Sequence, residues 1–180
     1  MTEPPAPAGL PVLRIVGPPA SGKTLLITTL VEALRRRGHR VASAAPRPGR
    51  TGGATVITLA SGGRVTVERA LPLAKLRALV AQLDPRADLL LAEGCDEAGA
   101  PAVALSADGA PGRVPPDPEL LAIVAAGALA DDFARFGPGE TRGLAELVER
   151  ELLGGAPSNA RPGDAAQPQR RWWQRRAASA

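Results

Sequence analysis

Aromatic side chains are scarce in this sequence: two Phe, two Trp and no Tyr among 180 residues. A chain of this length buries a sizeable core in one compact domain, and here that core has to be aliphatic. One cysteine, Cys95, excludes an internal disulfide and suits a reducing compartment, so a cytoplasmic location is expected. Long apolar runs are missing: no stretch reaches the roughly 18 residues that a transmembrane helix needs. The opening "MTEPPAPAGLP" has no apolar segment of the kind a signal peptide carries. Lysine is rare too. Of 22 basic residues only Lys23 and Lys75 are lysine, which leaves 20 arginines.

A charge excess on the folded body is also lacking. The formal net charge is +4, but residues 154–180 hold five arginines against Asp164, which accounts for all of it. Residues 1–153 are balanced at 17 basic and 17 acidic, so no nucleic-acid-binding face is expected.

What is present is a regular alternation. "PVLRIVG" (11–17) reads as a buried strand, and "KTLLITTLVEALRRRG" follows with Leu26, Ile27, Leu30, Val31 and Leu34 at helical spacing. "HRVASAA" (39–45) is a second strand. "ATVITLA" and "GRVTVER" alternate around Thr and Val on either side of Ser61-Gly62-Gly63, which predicts two strands and a tight turn. Residues 72–84 form a helix with Leu73, Leu76, Leu79, Val80 and Leu83 on one stripe. "DLLLAEG", "PAVALSA" and "ELLAIVA" are further strands, and 140–154 is a last helix despite Gly143. This order predicts a doubly wound α/β sandwich with a mostly parallel central sheet. It occupies residues 11–153, between a disordered N-terminus (1–10) and a disordered basic tail (154–180).

Between the first strand and the first helix stands "GPPASGKT", which fits G-x-x-x-x-G-K-[ST] at every fixed position. Gly17 and Gly22 let the backbone turn successive N–H groups inward as an anion nest. Lys23 supplies a compact cation, and the Thr24 hydroxyl can ligate Mg²⁺. The helix starting near Lys23 points its positive end at the same place. A Gly/Pro turn could match by chance, but the strand before it and the helix after it are the context the motif requires. In a chain so rich in arginine, a lysine at this position is a second argument, because arginine does not replace it there. Pro18 and Pro19 remove two donors early in the loop and stiffen it.

Such a loop works with a carboxylate at the end of a neighbouring strand, which holds Mg²⁺ or its water. Asp88 and Glu93 bracket "DLLLAEG", roughly 16 Å apart along a strand. Ligands bind at the carboxyl ends of parallel strands, so Glu93 is selected and Asp88 falls at the start of the strand. An ordinary loop carboxylate is the alternative for Glu93.

The loop, "RGHRVA" and the later "ADLLLAEGCDEAGAPAVAL" together resemble the molybdopterin-guanine dinucleotide biosynthesis protein B (MobB) family of P-loop NTPases. The resemblance covers roughly residues 11–153 and is strongest in 12–42 and 88–105. It implies a GTP-binding protein, commonly dimeric, that assists the guanylyltransferase-like enzyme attaching GMP to molybdopterin in molybdenum cofactor biosynthesis. Nucleotide contacts are then expected from Gly17, Ala20, Ser21, Gly22, Lys23, Thr24 and Leu25, with Thr24 and Glu93 as metal ligands. Lys23 and Glu93 would support slow, Mg²⁺-dependent hydrolysis. The chain departs from the family's pattern in three places. "SAAPRPGRTGGA" is shorter than the family's segment and lacks its Lys-His and further His; Arg47 and Arg50, the only charged groups there, read as solvated loop arginines or as contacts to phosphate or a partner. Pro101-Ala102 stands where the family has Pro-Lys, and Ala125-Ala126-Gly127 where it has Ser/Thr-Asp. That loss leaves GTP and ATP both open. Two other readings remain: a P-loop kinase or transferase acting on a small molecule, and an adaptor that binds nucleotide without hydrolysing it. His39, Cys95 and the Asp131-Asp132 pair read as structural or solvated. "QRRWWQRR" reads as part of a solubilising tail.

Overall fold

The computed structural model describes residues 9–47, 53–95, 99–106, 119–126 and 134–154. The expectations for 1–8, Arg50, Gly127, Asp131-Asp132 and the tail from 155 onward lie outside these residues.

Strand β1 (Val12–Val16) leads through the glycine loop into helix α1 (Lys23–Arg36). Strand β2 (Val41–Arg47) follows, then the hairpin β3 (Ala54–Thr58) and β4 (Arg64–Val67), and helix α2 (Leu73–Leu83). Strands β5 (Leu89–Glu93), β6 (Ala102–Leu105), β7 (Leu120–Val124) and β8 (Ala134–Phe136) come next. Helix α3 (Thr141–Val148) runs directly into a π-helical turn, Glu149–Leu153.

These strands form one sheet in the order β4-β3-β2-β5-β1-β6-β7-β8. All neighbouring pairs from β2 to β8 are parallel, and β3 and β4 are added antiparallel at one edge. The predicted mostly parallel sandwich is therefore what forms. Two boundaries differ from expectation. Strand β2 runs two residues further than 45, through Pro46 to Arg47, because β3 continues to pair with it beyond the end of β5. Strand β8 was not anticipated. Three residues at the sheet edge carry too little periodicity to be read from sequence.

Period-two alternation distributes the core. Leu13, Ile15, Leu89 and Leu91 face α1 and α3, where they pack on Leu26, Ile27, Leu30, Leu34, Leu144 and Val148. Val12, Ala42, Ala44, Leu90 and Ala92 face α2 and meet Leu73, Leu76 and Val80. The α1 stripe is buried as predicted, with Val31 packed at its margin. Leu83 is not buried: it is the last residue of α2 and 42% exposed. Gly143 inside α3 has a steric reason, since a Cβ there would lie 3.0 Å from Phe136 Cε1 on β8.

Two buried polar clusters stitch this frame together. Arg14, in the middle of β1, is 1% exposed. Its Nε donates to Ala100 O at 2.8 Å and its Nη2 to Glu119 Oε2 at 3.2 Å. Glu119 Oε2 also accepts from the backbone N–H of Gly99 (2.8 Å) and Ala100 (2.9 Å). A buried guanidinium needs such partners, and here they fix where β6 and β7 begin. His39, 3% exposed, places Nε2 at 2.8 Å from Glu149 Oε1, while Arg37 Nε donates to Glu149 Oε2 at 2.8 Å. The turn after α1 is thereby clamped to the π-helical turn after α3. His39 is structural, as expected.

Candidate functional site

The site lies at the carboxyl edge of the parallel strands, where β1 and β5 end beside the start of α1. Gly17 takes φ 149°, and a Cβ on it would lie 2.7 Å from Leu105 O and 3.1 Å from Ser21 Oγ. Only glycine passes there, because the loop must turn under the end of β6. Gly22 caps α1 at φ 89° with no side-chain hydrogen bond at the cap. The N–H groups of the first turn, from Lys23 onward, have no intrahelical acceptor, and no acidic side chain stands in that turn. Ala20 also takes a positive φ, 59°, which an alanine adopts only where the loop demands it. Positive φ at Gly17, Ala20 and Gly22 gives the segment the tight winding that a phosphate loop requires.

Lys23 folds back over the loop. Its Nζ donates to Pro18 O at 2.7 Å and Gly17 O at 3.1 Å. Ser21 N–H is taken by Pro18 O at 3.3 Å, whereas Ser21 Oγ is buried with no hydrogen-bond partner. A buried orphan hydroxyl is a cost the fold accepts where a ligand oxygen completes its hydrogen bonds.

Glu93, the last residue of β5, meets the first turn of α1. Thr24 Oγ1 donates to Glu93 Oε2 at 2.9 Å and lies 3.2 Å from Oε1. The two residues are 69 positions apart in the chain and share one point in space. A hydroxyl and a carboxylate side by side are hard oxygen donors of the type Mg²⁺ takes, so these residues fit the ion. Asp88 sits at the opposite edge, where its Oδ2 accepts from Arg40 N–H at 2.7 Å. It is a strand-start residue and has no part in the site.

On the other side of the loop, a cavity of about 180 Å³ opens between α1 and the ends of β6 and β7. Leu25, Leu105, Val124 and Pro138 form its apolar walls, and Ser21, Thr29 and Ser106 add hydroxyls. Leu25 was expected among the nucleotide contacts. Its side chain is 69% exposed and lines this cavity. Thr29, Ser106 and Pro138 were not singled out from sequence; none carries a motif, and only the crossing of strands brings them here. Along the β3–β4 side of α1 runs a larger groove, about 640 Å³, between Thr28, Arg35 and Arg36 on the helix and Ser43, Thr58 and Arg64 on the sheet. Cys95 follows Gly94 at the rim and is half-buried.

A strand, a glycine-wound loop, a lysine, a threonine at a helix start and a carboxylate on the next strand are the arrangement of the P-loop NTPase type of α/β fold. Within that class the chain has the fold of the MobB proteins. It matches a MobB homologue from Bacillus stearothermophilus with a TM-score of 0.52 at 22% identity, over 79% of this chain and 98% of that one. Bacillus subtilis MobB matches with a TM-score of 0.58 at 20% identity, over 79% and 98%. A structure of molybdopterin-guanine biosynthesis protein B matches at 0.51 and 21% identity, over 79% and 99%. No protein-family model matches the chain, and no curated protein matches it. Among the described residues, no helix is long and apolar enough to cross a membrane.

Proposed function

We propose that this chain is a MobB-like nucleotide-binding protein that holds GTP or ATP with Mg²⁺ and serves as an accessory factor in molybdopterin guanine dinucleotide formation. The observation that carries the reading is the meeting of Thr24 and Glu93 beside the Lys23 loop. The first-turn amides and the Ser21 hydroxyl would bind phosphate oxygens. Lys23 would leave the carbonyls of Gly17 and Pro18 for the β- and γ-phosphates, exchanging neutral acceptors for charged ones. Thr24 and Glu93 would hold Mg²⁺, which neutralises charge on the phosphates when bound. The nucleoside end would lie toward Leu25, Leu105 and Val124, away from Glu93. Catalysis on this arrangement is positioning and electrostatics by Lys23 and the loop amides. Hydrolysis is accordingly slow. The pathway assignment is supported by the shared fold, with a guanylyltransferase-like enzyme as partner, a homodimer as the assembly and the cytoplasm as the location.

Calorimetric titration of the full chain with GTP and ATP, with and without Mg²⁺, tests the reading. Micromolar binding that weakens at least tenfold without Mg²⁺ is expected. No affinity for either nucleotide would remove it. The groove beside α1 favours a second reading, phosphoryl transfer to a small acceptor seated there. Single-turnover assays with and without acceptors separate transfer from hydrolysis, and an absence of both leaves a nucleotide-dependent adaptor.

A further inference from the structure

Arg47 closes strand β2 on the far side of Glu93 from the phosphate loop, and we infer that it binds the terminal phosphate of the nucleotide. The inference rests on the nucleotide-binding reading above and adds to it a residue that distinguishes triphosphate from diphosphate.

Its placement follows from register. β2 lies beside β5, with Ala44 opposite Ala92, so Glu93 is one residue past that pair and Arg47 three. Arg47 therefore projects roughly 7 Å beyond Glu93 along the strand direction and stands one strand spacing, about 4.8 Å, to the side. The pairing of β2 with β3 runs without a break from Ser43 to Arg47, so alternation along β2 is intact. Ala42 and Ala44 face the α2 core, while Ser43 faces α1. Arg47 shares parity with Ser43 and so lies on the α1 face, the face on which Glu93 meets Thr24. Pro46 seats the end of β2 against the turn after Glu93: a Cβ on Gly94 would lie 3.5 Å from Pro46 Cγ.

Most other arginines near α1 are committed elsewhere, and Arg64, which lines the groove beside the helix, pairs with Thr58 at the opposite end of β3 from Ala54, the partner of Arg47. Arg35 Nη2 lies against the carbonyls of Val41, Leu59 and Ala60, Arg36 pairs with Glu32, and Arg37 is held by Glu149. Arg40 faces Asp84. Arg47 is exposed at the edge of the site, and among the described residues no carboxylate or carbonyl holds its guanidinium. A phosphate chain that starts at the loop and ends over Thr24 and Glu93 brings its terminal phosphate within reach of that guanidinium. The planar fork matches phosphate oxygens, and it would act on the flank opposite Lys23.

The test compares the full-length wild type with Arg47→Ala and Arg47→Lys in calorimetric titrations with Mg²⁺ and either GDP or β,γ-imido-GTP, the adenine pair serving as a parallel arm. Arg47→Ala should lose about tenfold in affinity for the imido triphosphate, as expected for one charged hydrogen bond, and stay within about twofold for the diphosphate. Arg47→Lys should fall between. Equal losses for both ligands, or no loss for either, overturn the assignment. If the wild type binds neither ligand, the nucleotide reading itself fails and this inference fails with it. Because Arg47 is exposed, unchanged thermal unfolding of the variants is expected and checks that only binding has moved.

Discussion

Gly17 and Gly22 fail in different ways when a methyl group is added. At Gly17 the methyl meets the Leu105 carbonyl at 2.7 Å as well as an unfavourable φ, and that carbonyl is backbone in the sheet. Gly22→Ala meets nothing within 4 Å and carries only the strain of φ 89°. Gly17→Ala should therefore cost about 3 kcal/mol of folding stability and Gly22→Ala about 1 kcal/mol, read from urea unfolding of the two variants. Glu93→Gln keeps the hydrogen bond to Thr24 but removes the charge that Mg²⁺ would need. Turnover should fall at least tenfold while nucleotide affinity in the absence of metal stays within about twofold. Unchanged turnover in a steady-state phosphate-release assay would leave Glu93 as an ordinary loop carboxylate.

At the scale of elements, the clamp between α1 and the π-helical turn is the feature most open to measurement. Glu149 is held below the usual carboxylate pKa of 4.5, first by the hydrogen bond to His39 and then by the hydrogen bond and charge of Arg37, against the opposing effect of burial. A lowered folded-state pKa contributes stability that is fully present above the unfolded value and is lost as pH falls through the folded one. Glu149→Gln should thus cost about 1–3 kcal/mol at pH 7. The gap between variant and wild type should close below about pH 4.5, the ordinary value from which Glu149 is lowered. Chemical unfolding at pH 7 and pH 3.5 measures both ends. A gap that persists undiminished at pH 3.5 would mean that packing, not the ionised carboxylate, is what the substitution removes. The same scale explains Gly143. Sequence alone presents it as a helix weakener, whereas the structure shows the ring of Phe136 packed where its side chain would be.

At the scale of the molecule, residues 1–153 carry no net charge and the basicity belongs to the last 27 residues. Lys23 and Arg47, the cations proposed to meet phosphate, belong to the neutral body and would act at short range. Removal of residues 155–180 should leave nucleotide affinity within about twofold at physiological salt, where charges more than about 8 Å from the site are screened. A larger loss in a titration of the truncated chain would assign the tail to the site.

The loop could be read from sequence because its chemistry is local: eight consecutive residues, flanked by a strand and a helix, contain every group that winds the nest. Glu93 was reachable by one further step, since only the carboxyl end of a parallel strand can face the loop. The buried faces of β1, β5 and α1 followed from periodicities of two and 3.6 residues. Arg14 did not follow, because its burial depends on the Ala100 carbonyl and the Glu119 carboxylate, 86 and 105 positions away. Nor did β8, the cavity walls or the register that carries β2 as far as Arg47. Each is set by strand order and register, which arise only when segments distant in the chain pair. Sequence by itself determined that this chain places a P-loop-type glycine turn between a strand and a helix on an α/β frame, because backbone conformation and burial pattern are written locally. The tertiary structure decided which side chains gather around that loop, because contacts between strands are fixed by hydrogen-bond register and by no property of the segments taken singly.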